Sequence, residues 1–181
     1  MSVIDFWFKR VAGLVFSAIV LGGCFTSEDE LIGYWAADRD LDGGQYAHWP
    51  VSPDGEEWER PTWEGEIKAQ RRRYVADDEN FPHQNLRIRS LYEGIYLAQT
   101  SNEDGSGYGL VWVYEEGAII SYHQADCSAL TPEALDANGL VLDPEGFCTV
   151  DTLEQLEQVM RVYLETLGSD IRIDGIYRRI D

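Results

Sequence analysis

The sequence has few basic residues. Its 181 residues include 14 Lys and Arg against 33 Asp and Glu, so the formal net charge is -19. Such an excess of carboxylates repels phosphates, which excludes nucleic acid as a partner and excludes docking on anionic lipid through a basic patch. Apolar residues are not scarce, since 44% of the chain is hydrophobic and 12% is aromatic. This composition is typical of a folded domain rather than a disordered chain.

The chain also lacks the short motifs of the common enzyme classes. It contains no H-E-x-x-H zinc motif, no P-loop and no G-x-G-x-x-G after a predicted strand. Ser106 lies between two glycines but without the flanking pattern of a nucleophile elbow. His48, His83 and His123 are scattered at spacings that fit no metal site, so we predict that each is structural or exposed. The sequence therefore indicates no catalytic residue, and we predict a protein that is not an enzyme.

No hydrophobic run is long enough to cross a bilayer. The uncharged run Val11–Gly23 follows Lys9 and Arg10 and falls short of the roughly 20 apolar residues that a span needs. It has the length of the apolar core of a secretory signal peptide. The run ends in Leu21-Gly22-Gly23-Cys24, which resembles the lipobox of bacterial lipoproteins. That resemblance implies cleavage before Cys24, a diacylglyceryl group on its sulfur and an acyl chain such as palmitate on its new amine.

The lipobox resemblance also implies a location and a division of the chain. Residues 1–23 are expected to be the signal peptide, residues 24–30 the lipidated cysteine with a short tether, and residues 31–181 a single globular domain. The protein would then be lipid-anchored in the bacterial cell envelope. Phe25 follows the cysteine, and a residue other than aspartate there resembles the sorting pattern that favours the outer membrane, facing the periplasm.

Cysteines are few, and their number agrees with an oxidising compartment. With Cys24 lipidated, Cys127 and Cys148 remain as an even pair. The chain has no C-x-x-C, which argues against a redox pair and against a zinc knuckle. We therefore predict a disulfide bond between Cys127 and Cys148.

Alternating apolar residues predict a mainly β fold. The patterns and turn residues predict antiparallel strands joined in sequence as a meander, forming a sheet or barrel of about seven or eight strands. The predicted strands are Leu31–Ala37, a short one near Tyr46, Trp63–Val75, Asn85–Leu91, Ile95–Ser101, Tyr108–Tyr114, Ala118–Gln124 and Ile171–Ile180. Eight strands can close around one small ligand or be filled by side chains, and the many tryptophans favour a filled core.

The strongest helical pattern lies near the C-terminus, over Asp151–Leu167. Apolar residues recur there at helical spacing, Thr152 with Gln155 can form a capping box, and Gly168 can end the helix. A shorter helix is expected after Thr131, where Pro132 occupies the first helical position. We expect the apolar stripe of the long helix to pack on the sheet.

A meander followed by a helix and a last strand resembles the lipocalin-like (calycin) small barrels. Gly33-Tyr34-Trp35 is similar to the G-x-W of the first lipocalin strand. The resemblance implies that Arg178 or Arg179 packs on Trp35, and that the barrel binds a small apolar or acidic ligand. The middle motif of that family is absent from this sequence.

One acidic run has the spacing of a metal loop. Asp38, Asp40 and Asp42 precede Gly43, and oxygens at alternate positions before a glycine turn can wrap one calcium ion. The bidentate Glu of a helix–loop–helix site would fall at Trp49, and the helix before the loop is missing. Two interpretations stay open: a calcium site completed by a distant carboxylate, and a solvated turn in an acidic protein.

The basic island Arg71-Arg72-Arg73 is the second candidate site. If the strand carrying Arg71 and Arg73 pairs with the strand carrying Arg87 and Arg89, four guanidinium groups converge and could bind an acidic ligand. The alternative is a surface ladder in which these arginines pair with the abundant carboxylates.

Three functions of different classes follow. The first is a non-catalytic envelope module whose acidic surface meets a basic protein, and the second is a lipocalin-like ligand binder. The third is a hydrolase that motif searching misses. The acidic surface is evident in the sequence, whereas a cavity is inferred, so we favour the interaction module. A closed barrel with an open, apolar mouth would reverse that order.

The lipobox generates the first testable prediction. Labelled palmitate should be incorporated into the wild-type protein and not into Cys24→Ala, because acylation requires the cysteine sulfur and the amine exposed by cleavage. Autoradiography of the purified proteins measures the label. Cys127→Ala is the control and should keep the label, and equal labelling of wild type and Cys24→Ala would show that Cys24 is not the lipidated residue.

Overall fold

The computed structural model describes residues 25–181. The predicted signal peptide 1–23 and Cys24 lie outside the described residues. The strands are β1 (Phe25–Ser27), β2 (Gly44–Pro50), β3 (Trp63–Gln70), β4 (Arg73–Val75), β5 (Arg87–Tyr92), β6 (Ile95–Asn102), β7 (Gly105–Tyr114), β8 (Ile119–His123), β9 (Cys148–Thr149) and β10 (Gly175–Arg179). The α-helices are α1 (Pro132–Ala137) and α2 (Leu153–Leu167).

Eight of these strands form a closed antiparallel ring. They follow chain order around it, as β2, β3, β4, β5, β6, β7, β8 and β10. Two contacts complete the ring: β10 pairs with both β8 and β2, and a bridge joins Tyr74 of β4 to Leu86 just before β5. The predicted meander is therefore confirmed, and it closes as a barrel.

The two faces of the barrel wall carry separate apolar cores. The inner core fills the barrel and includes Tyr46, Ile67, Ile88, Val111 and Tyr177. The outer core lies between the outside of the wall, helix α2 and the segment that carries the disulfide. Alternation along β7 shows the division, because Val111 belongs to the inner core and Leu110 to the outer core.

Helix α2 and the disulfide agree with the sequence. Leu156, Val159, Met160 and Tyr163 are buried against the outer face of the barrel. The Thr152 side chain accepts a hydrogen bond from the Gln155 backbone N–H at 3.1 Å and so caps the helix. Cys127 and Cys148 are bonded, with their Cα atoms 6.1 Å apart. In the described part of the chain, no helix is both long and apolar enough to cross a membrane.

The predicted first strand, Leu31–Ala37, is wrong. This segment bends and turns, with the N–H groups of Ala36 and Ala37 both donating to the Gly33 carbonyl. Side chains bind its backbone instead of a neighbouring strand: Gln99 accepts from the Ile32 N–H at 2.7 Å, and Arg87 donates to the Ile32 carbonyl at 2.8 Å. The segment therefore lies over the outside of β5 and β6 without joining the sheet.

The predicted strand Trp63–Val75 is two strands joined by a tight turn. Arg71 and Arg72 both have positive φ, at 48° and 62°, so the chain reverses between β3 and β4. Positive φ costs a non-glycine residue roughly 1–2 kcal/mol. Arg72 offsets part of this cost by donating to the carbonyls of Trp35 at 3.3 Å and Ala37 at 2.8 Å.

The expected tether at residues 24–30 also needs correction. Phe25–Ser27 form β1, which pairs antiparallel with β7 and parallel with β9. Phe25 has 0% exposure, and its ring packs edge-on against Tyr163 of α2 at 6.1 Å. The physical reason is the apolar side chain of Phe25, which is more stable in the outer core than in water. The folded domain therefore starts no later than residue 25.

Leu156→Ala tests whether α2 belongs to the same cooperative unit as the barrel. Leu156 has 0% exposure, so its truncation should leave a cavity and lower the free energy of unfolding by roughly 2–5 kcal/mol. Denaturant unfolding, followed by circular dichroism and by tryptophan fluorescence, should show a single earlier transition. The exposed Gln158→Ala on the same helix is the control and should change stability by less than about 0.5 kcal/mol. Two separate transitions would contradict a shared core.

Candidate functional site

Two histidines and two tyrosines meet inside the barrel. His48 Nε2 lies 3.0 Å from the Tyr122 hydroxyl, and His83 Nδ1 lies 2.6 Å from the Tyr177 hydroxyl. The remaining ring nitrogen of His48 lies 2.8 Å from the Thr62 hydroxyl. We call His48, His83, Tyr122 and Tyr177 the inner polar cluster. Its hydrogen bonds allow four polar side chains to lie in an otherwise apolar core.

The backbone pairing of three strands brings the cluster together. Tyr177 of β10 lies directly opposite His48 of β2, and their ring centroids are 4.7 Å apart. Tyr122 of β8 reaches the same point because its pairing partner is Gly175, where a Cβ atom would come within 2.5 Å of the Tyr122 ring. His83 comes from the loop between β4 and β5. A small residue at position 175 is therefore a condition for this arrangement.

Burial keeps the cluster neutral. Desolvation lowers the pKa of His48 to about 4. Desolvation, with a smaller contribution from His48, lowers the pKa of His83 to about 3. Desolvation also raises the pKa values of the Tyr122 and Tyr177 hydroxyls. Near neutral pH the cluster consequently holds no charge.

Little free space remains beside the cluster. The cavity inside the barrel has a volume of about 50 Å³ and an almost entirely apolar lining. Small-molecule sites in proteins usually occupy about 300–1,000 Å³. Leu41 and Phe81 both line the cavity, and the Phe81 ring is tilted by 45° against that of Trp63, with ring centroids 4.7 Å apart. The space that the structure describes inside the barrel is therefore smaller than an ordinary small-molecule site.

The third histidine lies outside the barrel, in the outer core. His123 Nδ1 is 3.0 Å from an Asp174 carboxylate oxygen, and its Nε2 is 2.8 Å from the Tyr163 hydroxyl. Arg172 holds the same carboxylate at 2.7 Å, and these contacts keep the pKa of Asp174 below its ordinary value although burial opposes them. His123 thus links β8 to α2. All three histidines are buried, so the expectation of exposed ones is wrong and that of structural ones fits.

Two of the four candidate arginines share one carboxylate. Arg73 and Arg87 bind the two oxygens of Glu30, at 2.8 Å and 2.7 Å. Arg89 contacts a different acid, Glu157 of α2, at 3.2 Å. Arg71 is exposed in the turn between β3 and β4. The alternation that placed Arg71 beside Arg73 fails because the turn separates them, and three of the arginines already have carboxylate partners.

The three aspartates of the acidic run do not converge on one point. Asp38 accepts a hydrogen bond from the Ser90 backbone N–H at 2.6 Å, and Asp40 accepts one from the Tyr96 hydroxyl at 3.2 Å. Asp42 is exposed. Within residues 25–181 no group of three or more metal-ligating side chains gathers in one place. The run is instead bound to the barrel through Leu41. The Leu41 backbone N–H donates to the Tyr74 hydroxyl, and that hydroxyl donates to the Leu41 carbonyl, both at 3.2 Å.

Ser106 lines an open groove on the outside of the barrel wall. The groove measures about 340 Å³ and lies where β1 meets the β6–β7 hairpin, with Ser27 and Thr149 also in its lining. The Ser106 hydroxyl lies 2.9 Å from that of Ser101. None of the three histidines lines the groove, and its acidic lining residues are Glu28 and Asp104.

The sequence indicated an acidic surface but not that two of its acidic loops meet at one end of the barrel. The β2–β3 loop and the β4–β5 loop both lie at this end, linked by the Trp63 indole N–H, which donates to Asp78 at 3.1 Å. We call their exposed carboxylates the acidic rim: Asp54, Glu56, Glu57, Glu59, Asp77, Asp78 and Glu79. Trp58 is 55% exposed among them. Both charge runs are visible in the sequence, but their meeting depends on the strand order.

The inner polar cluster generates a pH prediction. An unfolded histidine takes up a proton near pH 6.5, whereas His48 and His83 stay neutral in the folded protein until about pH 4 and 3. Between these values the unfolded chain binds more protons, so the free energy of unfolding should fall as the pH drops from 6.5 towards 4, by several kcal/mol (order of magnitude). Denaturant titrations at each pH measure this slope.

Imidazole NMR signals provide the direct check. The signals of His48 and His83 should not shift between pH 7 and 5, and His83→Gln, which keeps a hydrogen-bonding group near Tyr177, should reduce the slope of stability against pH. A pKa near 6.5 for either histidine in the folded protein would contradict the buried neutral cluster.

Comparison with known proteins adds no relative to this description. No protein-family model, no curated protein and no solved structure matches the chain. The function is therefore argued from the geometry of the described residues: a filled barrel, a neutral polar cluster inside it and an acidic rim at one end.

Proposed function

We propose that the chain is a lipid-anchored protein of the bacterial cell envelope that acts as a non-catalytic interaction module. In this proposal the acidic rim meets a basic protein partner, and the barrel holds the rim loops in place. The observation that carries the proposal is the filled interior, whose cavity of about 50 Å³ leaves the outer surface as the place for recognition.

The charges of the rim suit a cationic partner. Glu57 pairs with Arg178 at 2.6 Å and Asp77 pairs with Lys68, while Asp54, Glu56, Glu59 and Glu79 have no ion pair among the described residues. Carboxylates gathered in this way attract cations and speed association with a positively charged surface. Arg60 borders the rim and reduces its charge only slightly.

Trp58 gives the rim an apolar centre. Tryptophan is enriched among the residues that contribute most to binding, and here it stands in the middle of the acidic β2–β3 loop. The neighbouring Trp49 is already covered by the Arg178 guanidinium at 5.1 Å, so Trp58 is the indole that a partner can bury. Charge brings the partner to the rim, and burial of the indole would then hold it there.

The anchor and the compartment enter as parts of the same proposal. The lipobox at Leu21–Cys24 supports lipidation at Cys24, and the identity of Phe25 supports the outer membrane with the domain in the periplasm. The Cys127–Cys148 disulfide is compatible with that oxidising compartment. The lipocalin-like alternative has less support, because the cavity inside the barrel measures only about 50 Å³.

Photo-cross-linking tests the rim. A photoreactive residue replacing Trp58 should form an adduct with a basic envelope protein. The yield of this adduct should fall at high salt, because salt screens the attraction between the rim carboxylates and the partner. A residue replacing Tyr114, at the other end of the barrel and 49% exposed, should not form that adduct. Gel mobility measures the adduct yield at each of the two positions, and mass spectrometry identifies the cross-linked protein.

A charge-matched pair of variants gives the control. Glu56→Gln with Glu59→Gln should strongly reduce the adduct, whereas Glu115→Gln with Glu116→Gln removes the same charge at the opposite end and should leave it unchanged. An equal loss of adduct in the two double variants would show an effect of net charge alone. Adducts formed only with acidic proteins would overturn the proposed basic partner.

A further inference from the structure

One exposed apolar hairpin lies next to the point where the chain enters the folded domain. Phe25 is paired with Cys148, and Cys148 is bridged in turn to Leu142. Neighbouring strands are about 4.8 Å apart, so Leu142 lies about 10 Å from Phe25. We call residues 141–147 the entry hairpin. Its Val141 side chain is 80% exposed and its Leu142 side chain is 40% exposed.

The described residues start beside this hairpin. Phe25 has 0% exposure and is fixed by β7 on one side and by β9 on the other. Cys24 directly precedes Phe25 in the sequence. An acyl chain attached to Cys24 would therefore join the folded domain beside the entry hairpin.

The hairpin is built as a firm element. Asp143 accepts hydrogen bonds from the backbone N–H groups of Glu145 and Phe147, both at 2.8 Å, and the Asp143 N–H donates to the Phe147 carbonyl at 2.9 Å. The disulfide ties β9, the strand that follows the hairpin, to Cys127. Val141 and Leu142 are consequently displayed at a fixed place instead of collapsing onto the outer core.

We infer that the entry hairpin rests on the lipid bilayer, with Val141 and Leu142 in the interfacial layer. The inference rests on the proposed lipidation of Cys24, which would place acyl chains beside the hairpin. Exposed aliphatic side chains next to a lipid anchor lose their contact with water by entering the headgroup region. Asp143 and Glu145 lie in the same hairpin, and their negative charges would be repelled by anionic headgroups. The contact would therefore be made by the apolar side chains and would favour zwitterionic over anionic lipid.

Other exposed apolar side chains are badly placed for this contact. Trp35 is 84% exposed, but its carbonyl is bound by Arg72 in the β3–β4 turn, at the other end of the barrel. Tyr114 lies on the same strand as Tyr108, the partner of Phe25, and six residues along a strand span about 20 Å. The entry hairpin therefore lies closer to Phe25 than these two side chains do.

Photo-cross-linking to lipid tests the inference. The full lipidated protein would be reconstituted in vesicles of phosphatidylcholine, with a photoreactive residue replacing Val141 in one sample and Tyr114 in another. Lipid adducts should form at position 141 and stay at background at position 114. In the protein labelled at 141, Leu142→Glu should lower the adduct yield severalfold, while Leu142→Val should leave it unchanged.

Vesicle flotation separates the failure of this inference from the failure of the proposed function. If the wild-type protein does not float with the vesicles, Cys24 carries no lipid and both proposals are wrong. If it floats but position 114 yields as much lipid adduct as position 141, the anchor stands and the membrane contact is wrong. Adducts at 141 with protein alone would also overturn the contact, and would assign the hairpin to a protein partner.

Discussion

The pairing of β10 with both β2 and β8 is the contact on which the rest of the structure depends. It turns an open meander into a closed barrel, and the wall then separates an inner core from an outer one. The same pairing places Tyr177 opposite His48 and sets Gly175 beneath the Tyr122 ring. A barrel without free edges also avoids the edge-to-edge association that threatens an open sheet. One strand of five residues thus determines the architecture and the chemistry of the interior.

The interior combines polarity with neutrality. Four polar side chains satisfy one another through short hydrogen bonds, and the surrounding apolar residues keep them uncharged. Hydrogen bonds between buried partners specify a single arrangement more strictly than apolar packing alone, because each broken bond would leave an unpaired polar group. The cluster therefore helps to fix the barrel in one arrangement.

Local patterns in the sequence predicted the parts of the fold that depend on local interactions. Helix α2, its capping residue Thr152 and the Cys127–Cys148 bond follow from periodicity and cysteine number, and the structure confirms them. Leu31–Ala37 was misread because its apolar residues resemble a strand, whereas its backbone is held by distant Gln99 and arginine side chains.

The residues of the candidate sites depended on long-range geometry. The turn at Arg71-Arg72 carries no glycine or asparagine to announce positive φ, so the arginines were assigned to a strand they do not share. His48 and His83 are far apart in the sequence and meet only because the barrel closes. The acidic rim likewise needed the order of the strands, since its two charge runs belong to different loops.

The placement of β1 has a consequence for how the molecule acquires its structure. This strand stands at the start of the folded domain, yet it pairs with β7 and with β9 near the far end of the chain. Contacts between residues so distant in sequence form late, because closing a long loop costs conformational entropy before the contact can stabilise the chain. Strand β1 can therefore complete its pairing only after residues 148–149 have been synthesised, so most of the chain must be present before β1 takes its final position. The outer core, which includes Phe25, Cys148 and Val150, can therefore form only after most of the chain has been synthesised.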